Sequence, residues 1–179
     1  YEFKYLLNAE DRRHIENEIM HFMRFDGYVH PELDNSYFVR SLYFDNNSAD
    51  HYYEKIDGIR SRRKFRLRTY ERFYQTGLPI FLEIKGRYID RTYKHRVTIF
   101  HEHLHLFKNP QDAFELLHFY PDNWIVKQFV FDTVTKRIKP KVLVDYLRRP
   151  YTSDYDMNFR MTFDEKLQVC PSRELFRSD

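Results

Sequence analysis

Polar and apolar residues alternate with a period of two along much of this chain, most clearly in three consecutive segments. Side chains of a strand point to opposite faces in turn, so the alternation predicts strands over about 61–70, 80–87 and 93–100. The aromatic and β-branched run from Tyr37 to Asp45 reads as a further strand, closed by Asn46, Asn47 and Ser48. Gly77-Leu78-Pro79 and the stretch from Gly86 to Asp90 read as turns between strands. The opening segment, Tyr1 to Leu7, reads as a short strand, and the last strands fall near Lys141 to Leu147 and Phe159 to Glu165. Helical spacing is found in fewer places. Ile15, Ile19, Phe22 and Met23 follow a capping residue, Asn8, with Asp11 three positions on, which gives a helix ending near Gly27. Two more helices are expected from Pro110, capped by Asn109, and from Trp124, capped by Asn123. The predicted fold class is α+β, dominated by antiparallel strands with helices outside the sheet.

The alternation also sorts charge. Arg60, Arg62, Lys64, Arg66 and Arg68 fall on one face of their strand, with Ile59, Phe65 and Leu67 on the other. In the next strand Glu83 and Lys85 oppose Ile80, Leu82 and Ile84; in the one after, Lys94, Arg96 and Thr98 oppose Val97 and Ile99. Tyr146 and Arg148 share a face, as do Arg160, Thr162 and Asp164, with Phe159, Met161 and Phe163 turned the other way. A half-exposed sheet with one solvated face accounts for each strand separately. A solvated face, however, usually mixes Lys, Glu, Thr and Gln, whereas here cations dominate. Like charges spaced along a strand repel, and a multiply charged anion lying against them relieves the repulsion. Arg in particular offers paired donors shaped for phosphate oxygens. On that reasoning, deleting Arg66 and Arg68 together is expected to leave the fold intact. The alternative to a flat solvated face is a closed barrel with a cationic lumen and helices covering its apolar outside.

Composition narrows the picture further. At 179 residues the chain is long enough to bury a core as one domain, and its 18% aromatic content excludes a disordered tail. A single cysteine excludes a disulfide scaffold, and Cys170 is read as an incidental thiol in a reducing compartment. The net charge of +3 is too small for a general polyanion binder, so the distribution of charge, not its sum, carries the signal. No apolar stretch is long enough to span a bilayer, and no signal-peptide pattern is seen, so a cytoplasmic setting, or the cytosolic face of a membrane, is expected. The first residue is Tyr1, which reads as the start of an excised or trimmed domain.

Other chemistries find little support. There is no Walker loop, no GxGxxG fingerprint and no GxSxG elbow. His101, His103 and His105 would share a strand face and form a metal site, but the same segment reads as a loop entering a helix, where the rings would not converge. Nucleic acid is disfavoured as a partner, because the aromatics of clear parity near Arg60–Arg72 lie on the face opposite the arginines, away from any phosphate contacts.

A family resemblance rests on segments found in order: Glu2-Phe3-Lys4-Tyr5; Ser41-Leu42-Tyr43-Phe44-Asp45; Lys64-Phe65-Arg66-Leu67-Arg68, with Tyr70 following; Phe81-Leu82-Glu83-Ile84-Lys85; Lys94-His95-Arg96; Tyr146-Leu147-Arg148; and Arg160-Met161-Thr162-Phe163-Asp164. The chain resembles the VTC domain (vacuolar transporter chaperone type) polyphosphate polymerases of the triphosphate tunnel, or CYTH-like, superfamily. The resemblance implies an antiparallel β-barrel tunnel with flanking helices, whose lumen binds a triphosphate or polyphosphate chain. It implies phosphate contacts from Lys4, Arg66, Arg68, Lys85, Lys94, Arg148 and Arg160, with Tyr146 as a hydrogen-bond donor; parity adds Lys64 and Arg96. Among these, Arg66, Arg68, Lys85, Arg148 and Arg160 are the expected catalytic contacts, and Lys4, Lys64, Lys94, Arg96 and Tyr146 bind substrate. The family pattern continues with a strand bearing a metal-binding Glu, then a helix and a Ser-Lys pair. The sequence ends at Asp179 before these, so a tunnel lacking its last strand and helix is expected.

Expected partners are ATP or another triphosphate and inorganic polyphosphate, with Mn²⁺ or Mg²⁺ as the metal. Glu83 and Asp164 are the candidate metal ligands, Glu2 is a weaker third, and counter-ion roles for the arginines fit them at least as well. The polymerase reading has a polyphosphate end attacking the terminal phosphorus of ATP. A triphosphatase and a non-catalytic polyanion-binding module remain open, because the acceptor is not a side chain.

Overall fold

A computed structural model describes residues 2–156 and 158–176. Its elements in chain order are α1 (Ala9–Ile19), β1 (Met23–Phe25), β2 (Tyr37–Asp45), α2 (Asp50–Ile56), β3 (Ser61–Thr69), β4 (Ile80–Tyr88) and β5 (Arg91–Ile99). There follow α3 (Leu116–Phe119), α4 (Trp124–Thr135), β6 (Lys139–Ser153) and β7 (Arg160–Pro171), with 3₁₀ turns at Pro31–Leu33, His101–Phe107 and Asp112–Glu115. The chain divides into two compact units, Tyr1–Tyr37 with Leu147–Glu165, and Phe38–Tyr146 with Lys166–Asp179.

The larger unit is built on an antiparallel sheet. β3 lies between β2 and β4, and β5 pairs with the far side of β4. The register places Tyr43, Arg66, Glu83 and Arg96 side by side across the four strands. A neighbouring row runs Ser41, Arg68, Phe81, Thr98, and another runs Lys64, Lys85, Lys94. The opposite face carries Leu42, Phe44, Phe65, Leu67, Leu82 and Ile84, all at most 2% exposed. Helix α4 covers that face. Its Phe129 ring meets Phe44 at 5.0 Å and Phe65 at 5.4 Å, both edge to face. Asn123 caps α4 as its sequence predicts, its Oδ1 accepting from the amides of Ile125 (3.0 Å) and Val126 (3.2 Å). One charged link docks the helix. Arg63, on the apolar side of β3, donates from Nε (2.7 Å) and Nη2 (2.6 Å) to the fully buried Asp132 of α4.

In the smaller unit, Asn8 caps α1 through the amides of Glu10 and Asp11. Ile19, Met23, Tyr151 and Phe163 form its apolar centre. β1 pairs with the end of β6, Met23 opposite Ser153 and Phe25 opposite Tyr151. Buried Glu16 accepts from Arg149 Nη1 (2.8 Å), Tyr151 Oη (3.0 Å) and Arg12 Nε (3.1 Å).

The α+β class with antiparallel strands and flanking helices is as predicted, and several elements differ. Residues 2–8 form no strand, and Tyr1 lies outside the described residues. The first helix stops at Ile19, not near Gly27, because Met23–Phe25 leaves to pair with β6. The expected helix from Pro110 is broken into short 3₁₀ and α turns, and Asn109 donates to Asp112 (3.0 Å) in place of capping it. β4 runs through Gly86 to Tyr88. A Cβ at Gly86 would run into the Tyr93 ring, so the glycine serves close cross-strand packing and not a turn. The last two strands are longer than predicted, and β6 passes straight through Pro140 and Pro150.

Candidate functional site

The three rows on the polar face of β2–β5 bring six cations together: Lys64, Arg66, Arg68, Lys85, Lys94 and Arg96. Within these rows, among the described residues, the one carboxylate is Glu83, which is 1% exposed. Strand pleating alone puts these side chains on one face, and the fixed register aligns them across strands. The cations are not equivalent. Arg66 donates to Glu83 Oε2 from Nε (2.7 Å) and to Tyr43 Oη from Nη1 (2.8 Å), and its Nη2 lies 2.6 Å from the same Glu83 oxygen. Arg68, 4% exposed, donates only to hydroxyls: Ser41 Oγ from Nε and Tyr146 Oη from Nη2, both at 3.1 Å. Lys94 Nζ stands 3.3 Å from Glu83 Oε1, which accepts no hydrogen bond.

Electrostatics follow from this crowding. Burial by itself raises the Glu83 carboxyl, but Arg66, Arg68 and Lys94 outweigh it and hold it below the ordinary carboxylate range. Burial likewise raises the Tyr43 phenol, and Arg66, Arg68 and Lys64 turn the balance so that it is lowered. Burial pushes the Lys64 and Lys94 ammonium groups down, with neighbouring cations adding to the effect. The face therefore concentrates positive charge around a buried carboxylate.

Phe65 lies on the apolar side as expected, while two aromatic side chains from the neighbouring strands lie on the cationic face. Arg96 stacks over Phe81 at 4.4 Å, and Arg66 lies over Tyr43 at 5.6 Å. Sequence parity had the information for both: Tyr43 shares its face with Ser41, and Phe81 with Glu83 and Lys85. The Arg66–Glu83 pairing also corrects the idea that Arg66 merely adds repulsion. It is the partner of a buried carboxylate, so removing it costs stability.

The remaining predicted site residues belong to the smaller unit. Arg148 pairs with Asp164 through Nε and Nη2, each 2.7 Å from a carboxylate oxygen. Arg160 Nη2 meets Asp26 Oδ2 at 3.0 Å. Lys4 stands 3.5 Å from Glu2, both exposed. In the larger unit, Arg60 precedes β3 and is exposed, and Arg62 donates to the Ile59 carbonyl.

Among the described residues no three His, Cys, Asp or Glu side chains are grouped to hold a metal ion. Glu83 is ringed by cations, and Asp164 is engaged by Arg148. This donor chemistry suits a counter-ion role and does not fit a resident divalent metal. His101, His103 and His105 fall in a 3₁₀ turn, where they diverge: His101 stacks on Tyr74, His103 bonds Tyr120 Oη (2.9 Å), and His105 donates to the Glu102 carbonyl (2.6 Å).

A cationic strand face of this composition, on an antiparallel sheet backed by helices, agrees with a match between the sequence and the VTC domain family over residues 1–179. The chain belongs to the VTC domain family. That family is associated with polyphosphate synthesis. A search of curated proteins returned no match to the chain. Among the described residues of this VTC domain, no helix is long and apolar enough to cross a membrane.

Proposed function

We propose that this VTC domain is a polyphosphate-forming phosphotransferase that takes its phosphoryl group from ATP. The observation that supports it most is the set of six cations on one face of three paired strands, with one carboxylate among them. Phosphoryl transfer demands little covalent chemistry from protein; it demands in-line placement and neutralisation of charge on the transferred group. Arg68 fits direct phosphate contact best, since a phosphate oxygen readily displaces its hydroxyl partners. Lys64, Lys85, Lys94 and Arg96 extend the contact along the face, and Tyr146 contributes its hydroxyl. Arg66, held by Glu83 and Tyr43, supplies a fixed charge and orients the others. Roles for Lys4, Arg148 and Arg160 rest on the family resemblance.

In the reaction, an oxygen at the end of a polyphosphate chain forms a bond to the γ-phosphorus of ATP. The bond from that phosphorus to the β,γ-bridging oxygen breaks, and ADP leaves carrying the electron pair. In this reading Mn²⁺ or Mg²⁺ comes as the counter-ion of the nucleotide, part of the substrate. The test is incubation of the protein with ATP and Mn²⁺, followed by polyphosphate staining of a gel and an assay of free phosphate. Stainable chains are the expected result. Free phosphate without chains would make the site a triphosphatase, and neither product would reduce it to a binding module.

A further inference from the structure

A groove of about 710 Å³ opens where α4 ends, on the side of the sheet opposite the cationic strand face. Lys108, Lys136, Arg137, Lys139 and Arg173 line it, and no Asp or Glu does. Two of these cations have carboxylate partners outside the lining: Lys136 meets Glu54 at 3.1 Å, and Lys108 meets Glu174. Arg137, Lys139 and Arg173 hold no ion pair with any described residue. Side-chain amides of Asn47 and Gln111 add neutral donors to the same wall.

The backbone supplies an independent sign. Arg137 follows the C-cap of α4 with φ +54°, in the left-handed region. That position after a helix end favours glycine, and an ordinary side chain there is strained. Strain retained at a residue whose side chain lines a charged groove points to a use for that side chain. We propose that this groove is a second phosphate site, separate from the strand face, which takes a free anion bearing several phosphoryl groups. Three cations without ion pairs among the described residues give the wall more charge than one phosphoryl group would neutralise, which favours an anion bearing several.

The experiment is a calorimetric titration with inorganic tripolyphosphate, without metal, on the wild type, on Arg137→Gly/Arg173→Gln, and on Arg68→Met. Arg137→Gly removes the cation and also relieves the backbone, so its melting temperature should not fall. The expected result is more than one tripolyphosphate per wild-type chain, with one of them at least tenfold weaker in the groove variant and unaffected by Arg68→Met. Unchanged stoichiometry and affinity in the groove variant would overturn the second site. Binding lost with Arg68→Met alone would also overturn it and leave the proposed function standing. Binding lost only with the groove variant would support the groove and count against the strand-face reading.

Discussion

Arg66 and Glu83 sit directly opposite each other on β3 and β4, and two guanidinium nitrogens of Arg66, Nε and Nη2, converge on the one oxygen Oε2 at 2.7 and 2.6 Å. The other oxygen, Oε1, has Lys94 at 3.3 Å and no hydrogen bond. Glu83 thus answers Arg66 through one oxygen and stands near Lys94 through the other. Breaking a buried pair from one side costs about 3–5 kcal/mol, since the surviving charge is left in a poor solvent.

Glu83→Ala is therefore expected to destabilise the protein by about that amount, measured by urea unfolding. A bound phosphate chain would stand in for the lost carboxylate. The deficit in melting temperature should accordingly narrow when tripolyphosphate is present. An equal deficit with and without the anion would contradict binding on this face.

Arg66→Ala and Arg68→Met should separate stability from substrate contact. Arg66→Ala leaves Glu83 buried without its hydrogen-bonding partner, so its main effect is on unfolding, again by about 3–5 kcal/mol. Arg68→Met keeps the bulk of a side chain that has only hydroxyl partners. It should fold nearly as well as the wild type and lose at least tenfold in ATP turnover. A pair of variants with the reverse pattern would mean that Arg68, not Arg66, is the structural cation.

Acid should act through Glu83. Its folded-state pKa lies below the ordinary value, so it contributes stability that is complete above about pH 4.3 and lost as pH falls through the folded-state value. Glu83→Gln should flatten the acid limb of a stability-against-pH curve. On the alkaline side, Lys64 and Lys94 are lowered by burial, and an anion favours their charged forms. Tripolyphosphate binding in mildly alkaline buffer is therefore expected to take up protons, read as a dependence of the binding enthalpy on buffer ionisation enthalpy. Proton release would be the wrong sign for this site.

The parts of the fold that could be read in advance were those whose pattern is local. β3, β4 and β5 show a period of two, and the same period sorted Lys64, Arg66, Arg68, Lys85, Lys94 and Arg96 onto the face they occupy. Asn8 and Asn123 announced helix starts because a cap acts within three residues. A strand, by contrast, exists only through its neighbour. Phe3, Tyr5 and Leu6 have strand-like character, yet they are exposed and pair with nothing among the described residues. The strand expected near Lys141 to Leu147 extends at both ends, through Pro140 and Pro150, although proline donates nothing to a ladder. The pairing of Arg63 with Asp132, 69 positions apart, left no mark in spacing or period, and neither did that of Arg149 with Glu16. Parity tells which face a charge takes but not which carboxylate answers it.

The smaller unit offers a test of such an answered charge. Tyr151 Oη donates to Glu16 Oε1 at 3.0 Å, and Arg149 Nη1 donates to the same oxygen at 2.8 Å. Burial, then the Glu16 charge and hydrogen bond, push the Tyr151 phenol up to about 12. A phenol whose folded-state pKa is raised contributes stability that is whole below its unfolded value, about 10, and lost as pH climbs through the folded-state value. Tyr151→Phe should cost about 1.5–3 kcal/mol near neutrality, the usual worth of a hydrogen bond to a charged group. The variant should then lose less than the wild type as pH rises from about 10 toward 12, so that the two stability curves converge. Curves that stay parallel through that range would show that the Tyr151 hydroxyl titrates no differently in the folded and unfolded chains.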